Sequence, residues 1–271
     1  MHYAHHDIER KRTNVMTGRT HLIVSTGVTM SLMQLIGQGV TLPGFAIALV
    51  SSLLPDIDEP NSLLLQKTVP NSLILKLKWL LAAIGVGWTL YAYLQSFFLP
   101  YSYGIGVLLI AICLANHRLF RQLLMAALGG LLLYLGADGG PWLAAVGALL
   151  MVCSVLPHRG LTHSIYGILI WGGLLYAASV QLDIPLWIAG VVSYTLHLLC
   201  DMLTKHGIQP LPPFKWKLKI PMMSTGKFSG FLVENVCITL TLVLLWNAFV
   251  TPLGSQVRAI WDSLWFQFGG M

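Results

Sequence analysis

Apolar stretches alternate with short polar connections along almost the whole chain. Nine of these stretches are candidates for membrane-inserted helices, although most lie near the short end of the roughly 17–25 residues that a span needs. The pattern predicts an all-α fold, a polytopic transmembrane helix bundle of about 8–9 membrane-inserted helices, some of them short or re-entrant. The nine runs cover residues 22–40, 43–54, 79–98, 102–116, 122–137, 141–156, 165–181, 185–203 and 231–250.

The run 43–54 is the hardest to place, because it is too short to cross a bilayer without tilting or local thinning. Positive charge offers a test, since Lys and Arg concentrate in cytoplasmic loops. If the N-terminus is cytoplasmic and all nine runs cross, the basic connections 67–78, 117–121 and 204–230 all fall in the cytoplasm. We therefore predict a cytoplasmic N-terminus, with residues 43–54 either crossing or forming a re-entrant hairpin that returns to the same side.

Composition supports a membrane protein over a soluble one. Of the 271 residues, 56% are hydrophobic and 10% are charged, and the mean hydropathy is +0.73. Soluble domains carry about 25% charged residues. We therefore predict a multi-pass protein of the plasma (inner) membrane, with the lipid bilayer as its partner. The net charge of +6 reflects the basic loops, and no aromatic-interleaved basic domain accompanies it, so no nucleic-acid partner is expected.

The same pattern divides the chain into three parts. Residues 1–19 are predicted to be a cytoplasmic tail, in which the stretch before Met16 looks detached from the rest, so that Met16 is a candidate natural start. Residues 20–251 are predicted to form an integral membrane domain. Residues 252–271 are predicted to form a C-terminal tail.

Histidines and carboxylates lie at the ends of several predicted spans, and the predicted topology places them on one face of the membrane at about one depth. His197 and Asp201 are four residues apart, so on a helix they share a face and can meet one ion. Ionisable groups beside spans are costly and usually face each other or a polar interior. The set predicts a metal site formed by His21, Asp56, Asp58, His158, His163, His197 and Asp201.

Three further residues are candidates for catalysis. Arg159 carries a permanently charged guanidinium that suits a phosphate or a carboxylate. Lys227 is a second cation for the same anion, and Glu234 is a candidate general base or additional ligand. Each also has a simpler interpretation. Arg159 and Lys227 would serve as positive-inside anchors, and Glu234 would pair with Lys227.

The motifs MTGRTH, LLPDIDEPNS, HRGLTHS and HLLCDMLTKHGIQPLPP, followed by STGKFSG and a glutamate, run from about residue 16 to residue 235. In these motifs the chain resembles the YdjM-like family of inner-membrane proteins. Its members are described as membrane-bound metal-dependent hydrolases, and some as LexA-binding. The resemblance implies metal binding through the seven His and Asp side chains named above, with hydrolysis as the activity. The chain after residue 235 lies outside these motifs.

Seven candidate ligands exceed the three protein ligands of a typical catalytic zinc. The count predicts one or two divalent ions, zinc or manganese first, with either a carboxylate shared by two ions or one ion with a dense surrounding shell. The position at the lipid headgroups favours a phosphoester substrate, a phospholipid or a lipid-linked phosphate. Two alternatives stay open: an ion-coupled transporter, and a non-catalytic metal-binding regulator or scaffold.

Overall fold

The computed structural model describes residues 16–58, 70–155, 160–223 and 228–250, together with Ala259. This part of the chain forms nine α-helices and two short 3₁₀ helices, with two isolated bridges as its β-pairing, so the all-α prediction is confirmed. In chain order the α-helices are α1 (Gly18–Leu35), α2 (Leu42–Ser51), α3 (Asn71–Gln95), α4 (Tyr101–Leu114), α5 (His117–Gly139), α6 (Pro141–Val155), α7 (Ile165–Leu182), α8 (Trp187–Met202) and α9 (Phe228–Phe249), and the 3₁₀ helices are Leu54–Asp58 and Leu161–His163.

Each apolar run of the sequence corresponds to one α-helix, and the differences lie at the helix ends. Helices α3 and α5 begin several residues before the apolar runs that predicted them. The extra turns of α3 contain Lys76 and Lys78, which lower hydropathy but are good helix formers. Side chains of Thr17, Thr41 and Asn116 accept hydrogen bonds from the first turns of α1, α2 and α5, and these caps set where the helices begin.

Within the described residues, four helices are long and apolar enough to cross a membrane: α3, α5, α7 and α9. Helices α2, α4, α6 and α8 are shorter but also apolar. Helix α1 is not among the four, since its buried face carries Ser25, Thr26, Thr29 and Ser31. The Thr29 hydroxyl donates to the Ser25 carbonyl at 2.6 Å, which satisfies this polar group inside the bundle. The helices define a multi-pass membrane protein.

Helix α2 has ten residues and is about 15 Å long, half the thickness of a bilayer's hydrocarbon core. It nevertheless brings the chain back to the end at which α1 began. His21 in the first turn of α1 and Asp56 just beyond α2 belong to the same cluster of side chains. This return is the arrangement expected if residues 43–54 cross, and the side of the membrane on which that end lies stays a prediction.

The chain divides into two compact units, Met1–Asp58 with Pro157–Met271, and Glu59–Leu156. In the first unit α8 packs against α1, α2 and α7, and α9 packs against α1. Small residues on α8 allow this packing. A Cβ on Gly190 would lie 2.0 Å from Leu175 Cδ1, and the Ser193 hydroxyl donates to the Ala48 carbonyl at 2.7 Å. Helix α8 is therefore the central element of this unit.

The second unit contains α3, α4, α5 and α6, in which α3 packs on α4 and α5 packs on α6. The α5–α6 pair is held at close backbone distance by glycines. A Cβ on Gly129 would lie 2.7 Å from the Gly147 carbonyl oxygen, and a Cβ on Gly147 would lie 2.5 Å from the Gly129 carbonyl oxygen. Only a residue without a side chain fits at these two positions without a shift of the helices.

Candidate metal centre

Five of the seven predicted ligands come together in the first unit. His21 comes from α1, Asp56 from the first 3₁₀ helix, and His163 from the end of the second. His197 and Asp201 come from the last two turns of α8. The cluster thus joins four segments that are far apart in the sequence, at the ends of the α1–α2 and α7–α8 helix pairs.

Asp201 faces three imidazoles with its two carboxylate oxygens. Its Oδ2 lies 3.2 Å from His163 Nε2 and 3.6 Å from His197 Nε2, and its Oδ1 lies 3.6 Å from His21 Nε2. Asp56 Oδ1 faces two of the same imidazoles, at 3.3 Å from His163 Nε2 and 3.8 Å from His197 Nε2. Each imidazole therefore presents Nε2 to a carboxylate.

These separations suit donor atoms that surround a small divalent cation. With metal–ligand distances of about 2.0–2.2 Å, two ligands of a tetrahedral ion are roughly 3.3 Å apart. Two groups of three ligand atoms lie within 4.8 Å of one another: His21, His197 and Asp201, and Asp56, His163 and His197. Because Nε2 of His197 belongs to both groups and has one lone pair, it would serve one ion only. Asp201, with two oxygens, could serve two.

The cluster is buried except at one edge. The side chains of His21, His163, His197 and Asp201 are at most 2% exposed, whereas that of Asp56 is 24% exposed. A buried carboxylate needs a cationic partner, either protonated imidazoles or a metal ion. Among the described residues, Nδ1 of His21 and Nε2 of His197 have no hydrogen-bond partner. Because Asp56 is the most exposed of the five side chains, solvent reaches the cluster on its side.

Hydrogen bonds on the far side of the rings orient two of the imidazoles. His197 Nδ1 lies 2.7 Å from the Ser52 carbonyl oxygen, and His163 Nδ1 lies 3.2 Å from the Thr162 hydroxyl. The ring of His21 stacks on that of His197, with centroids 4.1 Å apart and planes at 22°. Such contacts fix which nitrogen of a metal-binding histidine faces the ion. Here they leave Nε2 for the carboxylate side.

Sequence reasoning did not single out several residues that position this cluster. The Tyr194 hydroxyl donates to the Thr162 carbonyl, next to His163, and the Trp171 indole donates to the Ser51 hydroxyl at 2.8 Å. Tyr194, His197 and Asp201 follow one another at three- and four-residue spacing, so they share a face of α8. A polar stripe at that spacing on an otherwise apolar helix is the signal that could have revealed them.

The charges of the cluster shift the pKa values of its groups outside the α-helices. Burial disfavours the imidazolium of His163, but hydrogen bonds from it to Asp201 and Asp56 outweigh burial and raise its pKa to about 9. Burial alone would raise the pKa of Asp56, but the charges of His197 and His163 and the hydrogen bond with His163 lower it. A divalent cation would compete with the His163 proton for the space between these carboxylates.

Of the five remaining predicted site residues, the structure describes the side chain of Glu234 alone. The backbone of Asp58 lies in the first 3₁₀ helix, but its side chain lies outside the described part of the structure, and so do His158, Arg159 and Lys227. Glu234, in α9, accepts a hydrogen bond from the Thr17 backbone N–H at 2.9 Å. Its carboxylate thus contacts the residue that caps α1, four positions before His21.

The fold and the cluster define an all-α, multi-pass membrane protein with a buried His/Asp centre at one end of two helix pairs. The chain belongs to the YdjM family, since the family described as "YdjM inner membrane protein" matches residues 16–259. The match covers nearly the whole sequence, so the resemblance found in the motifs is confirmed.

Individual relatives match a smaller part of the chain. "Inner membrane protein YdjM" of Escherichia coli (strain K12) is 32% identical over 114 residues, which are 39% of this chain and 54% of that protein, and the protein of the same name from Shigella flexneri matches equally. "Uncharacterized protein YfhP" of Bacillus subtilis (strain 168) is 36% identical over 102 residues, 35% of this chain and 29% of that protein. The chain thus spans about half the length of the first two relatives. No solved structure matches significantly. The names of these relatives and the apolar helices support a multi-pass protein of the plasma membrane.

Proposed function

We propose that the protein is a membrane-embedded, metal-dependent hydrolase that acts on a phosphoester at the cytoplasmic surface of the inner membrane. The observation that carries this proposal is the convergence of five His and Asp side chains from four segments. Four of them are almost fully buried, their donor atoms are at ligand-like separations, and the Ser52 carbonyl holds Nδ1 of His197 so that Nε2 faces the carboxylates. Burial of this much charge is expensive in a membrane protein, and such groups usually serve function.

Four of the five side chains offer one compact set of donors: Asp56, His163, His197 and Asp201. His21 and the second oxygen of Asp201 would complete that set or hold a second ion. Imidazole and carboxylate ligands suit zinc or manganese. When bound, such an ion supplies Lewis acidity and lowers the pKa of a water ligand.

Other residues of the chain would admit the substrate, bind its phosphate and hold His21 in position. Asp56 lies at the exposed edge, so a phosphoester and a water molecule would approach the centre beside it. Arg159 comes four residues before His163 in the sequence, and we propose that its guanidinium binds the phosphate oxygens, with Lys227 as a second cation. The contact of Glu234 with Thr17 supports a role in holding the start of α1, and thereby His21, and its role as a general base or additional ligand stays a prediction.

Substrate screening with matched variants tests the proposal. Detergent-purified protein loaded with zinc or manganese is assayed for phosphate or headgroup release from phospholipids and lipid-linked phosphates. We expect turnover by the wild type and by Asp183→Asn, whose carboxylate is exposed beyond the C-terminal end of α7. We expect a loss of at least about 100-fold in Asp56→Asn. A metal-loaded wild type that hydrolyses none of these compounds would contradict the proposal.

One observation favours a second candidate, a regulator in which the metal is structural. Four of the five side chains are almost fully buried. They come from α1, from the second 3₁₀ helix just before α7, and from α8. A metal held there would stabilise the fold regardless of any reaction. This candidate predicts that chelation unfolds the first unit while no phosphoester is turned over by the loaded protein.

A further inference from the structure

The segment of residues 204–223, which follows α8, is unusually basic and aromatic for a connection between two membrane helices. It contains Lys205, Lys215, Lys217 and Lys219, and the sequence has no Asp or Glu from residue 202 to residue 233. Within the segment the order Phe214-Lys215-Trp216-Lys217-Leu218-Lys219-Ile220 alternates apolar and basic side chains.

The 204–223 segment is ordered by its own backbone pairing. Ile208 and Leu218 exchange both backbone hydrogen bonds, at 3.0 and 2.9 Å, in an antiparallel bridge. Gly207 makes the turn into this bridge with a φ of +63°, and a Cβ there would lie 2.5 Å from the Leu218 carbonyl oxygen. The lysines and aromatics are therefore presented by a defined backbone.

The same segment is hydrogen-bonded to the end of α8 and to the start of α7, close to three of the metal-centre residues. Backbone N–H groups of Ile220 and Met222 donate to the carbonyls of Met202 and Leu203 at 2.7 and 3.2 Å, directly after Asp201. The Ile165 N–H, two residues after His163, donates to the Pro210 carbonyl at 2.9 Å. Since Ile165 begins the candidate membrane span α7, the segment lies at the level where that helix emerges from the bilayer.

Large apolar side chains of the segment are exposed. The exposed fractions are 69% for Phe214, 60% for Trp216 and 58% for Met222, and Lys215, Lys217 and Lys219 are exposed beside them. The indole ring of tryptophan favours the membrane–water interface, where the ring lies among the lipids and its N–H meets water, and an exposed phenyl ring adds apolar surface beside it. Lysine ammonium groups at the same level are attracted by anionic headgroups. Exposed aromatics and unopposed lysines together match an anionic lipid surface in both hydrophobicity and charge.

We propose that the 204–223 segment binds the anionic lipid headgroups of the membrane surface next to the metal centre. Phe214 and Trp216 enter the headgroup region, and Lys215, Lys217 and Lys219 bind headgroup phosphates. The consequence for the substrate rests on the proposed function: a hydrolase supplied by this surface acts on an anionic phospholipid. The lipid binding itself does not depend on hydrolysis.

Bromolipid quenching of tryptophan fluorescence tests the binding. Full-length protein is reconstituted in nanodiscs that contain either brominated phosphatidylcholine or brominated phosphatidylglycerol as a minor component, without added metal. The difference between the wild type and Trp216→Phe isolates the emission of Trp216. We expect this emission to be quenched by both lipids, and about twofold or more strongly by phosphatidylglycerol.

Two double variants test whether lysines of the 204–223 segment cause the stronger quenching by phosphatidylglycerol. Lys215→Gln/Lys217→Gln, measured with and without Trp216→Phe, should reduce the phosphatidylglycerol quenching of Trp216 towards the phosphatidylcholine level, because one of the three lysines remains. Lys76→Gln/Arg118→Gln removes the same charge from exposed positions of the second unit and should leave it unchanged. Equal quenching by both lipids in the wild type would overturn the anionic specificity. Absence of quenching by either would overturn the proposal and leave the surface for an acidic protein partner.

This test separates the present inference from the proposed function. Quenching is measured without metal and without turnover. Strong phosphatidylglycerol quenching in a protein that hydrolyses no phosphoester would support the lipid-binding surface and contradict the hydrolase. Turnover without any quenching of Trp216 would support the hydrolase and contradict the lipid-binding surface.

Discussion

Nδ1 of His197 lies 2.7 Å from the backbone carbonyl oxygen of Ser52. A carbonyl only accepts, so Nδ1 carries a proton and donates it, and Nε2, which faces Asp56 and Asp201, is the nitrogen available to a metal. The contact joins α8 to the residue that follows α2. One hydrogen bond thus contributes to helix packing and also prepares this imidazole to bind a metal through Nε2.

The Thr162 hydroxyl, 3.2 Å from His163 Nδ1, is expected to orient the His163 ring so that Nε2 faces the carboxylates. Thr162→Val keeps the shape of the side chain and removes the hydroxyl, so we expect zinc affinity to fall about 10- to 100-fold. Thr162→Ser keeps the hydroxyl and should bind zinc as the wild type does. Competition with a chromogenic chelator measures both affinities. Equal affinities of the Val and Ser variants would show that the hydroxyl does not orient the ring.

Metal affinity should rise with pH up to about pH 9. The pKa of His163 is raised to about 9 in the metal-free protein, so the ring is protonated below that pH and the proton competes with the metal. The apparent affinity should therefore increase about tenfold for each pH unit between 7 and 9 and level off above. Chelator competition at several pH values, corrected for proton binding by the chelator, gives the slope. A flat profile would contradict protonation of His163 in the metal-free state.

Glu234 offers a test of positioning against ligation. Its carboxylate accepts from the Thr17 N–H, and a glutamine can accept the same hydrogen bond. Glu234→Gln should therefore keep the metal content of the wild type, whereas Glu234→Ala should destabilise the protein by about 0.5–1.5 kcal/mol. Elemental analysis and thermal unfolding in detergent measure the two effects. Loss of metal in Glu234→Gln would return Glu234 to the ligand set.

Glycine packing in the second unit should govern stability without affecting the metal. Gly129→Ala would place a Cβ 2.7 Å from the Gly147 carbonyl oxygen and 2.9 Å from the Met151 backbone nitrogen, so we expect a loss of about 1–3 kcal/mol. Gly130→Ala meets nothing within 4 Å and serves as the control. Thermal unfolding compares the two variants. The folded fraction of both should hold the wild-type metal content, and a lower content in folded Gly129→Ala would contradict a centre confined to the first unit.

Hydrophobicity alone predicted the number and order of the α-helices within the described part of the chain. Every apolar run became a helix, because a buried or lipid-facing backbone must satisfy its hydrogen bonds internally. The helix ends were less predictable. The turn that contains Lys76 and Lys78 is polar yet helical, since hydropathy reports the environment of a side chain and not the backbone conformation. The apolar pattern of the sequence also did not predict the division into two units.

The site was predictable to the level of its side chains, though not of their contacts. Loop charge placed the histidines and carboxylates on one face, and five of them do converge. The acceptor for His197 is a backbone carbonyl, that of Ser52, and a backbone group has no signature in a sequence. The hydrogen bond from Thr17 to Glu234 likewise depends on α9 packing against α1, which no local sequence pattern predicts.

The two helix pairs share a pattern that explains the convergence. His21 opens the α1–α2 pair and His163 opens the α7–α8 pair, and Asp56 and Asp201 close them, each after two leucines and one further residue. The distance in sequence from His21 to Pro43 equals that from His163 to Pro185. Each pair therefore brings one histidine and one aspartate to the same end.

Elemental analysis of the purified protein tests the central claim most directly, that these side chains bind a divalent metal. The wild type is compared with His197→Ala, Asp56→Asn and His117→Ala, the last an exposed histidine at the start of α5. Size-exclusion chromatography and circular dichroism verify that each is folded. We predict near-stoichiometric zinc or manganese in the wild type and His117→Ala, and strong depletion in folded Asp56→Asn and His197→Ala. A wild type that stays metal-free after reconstitution with both ions would contradict the account and leave the cluster as a network of imidazolium–carboxylate pairs.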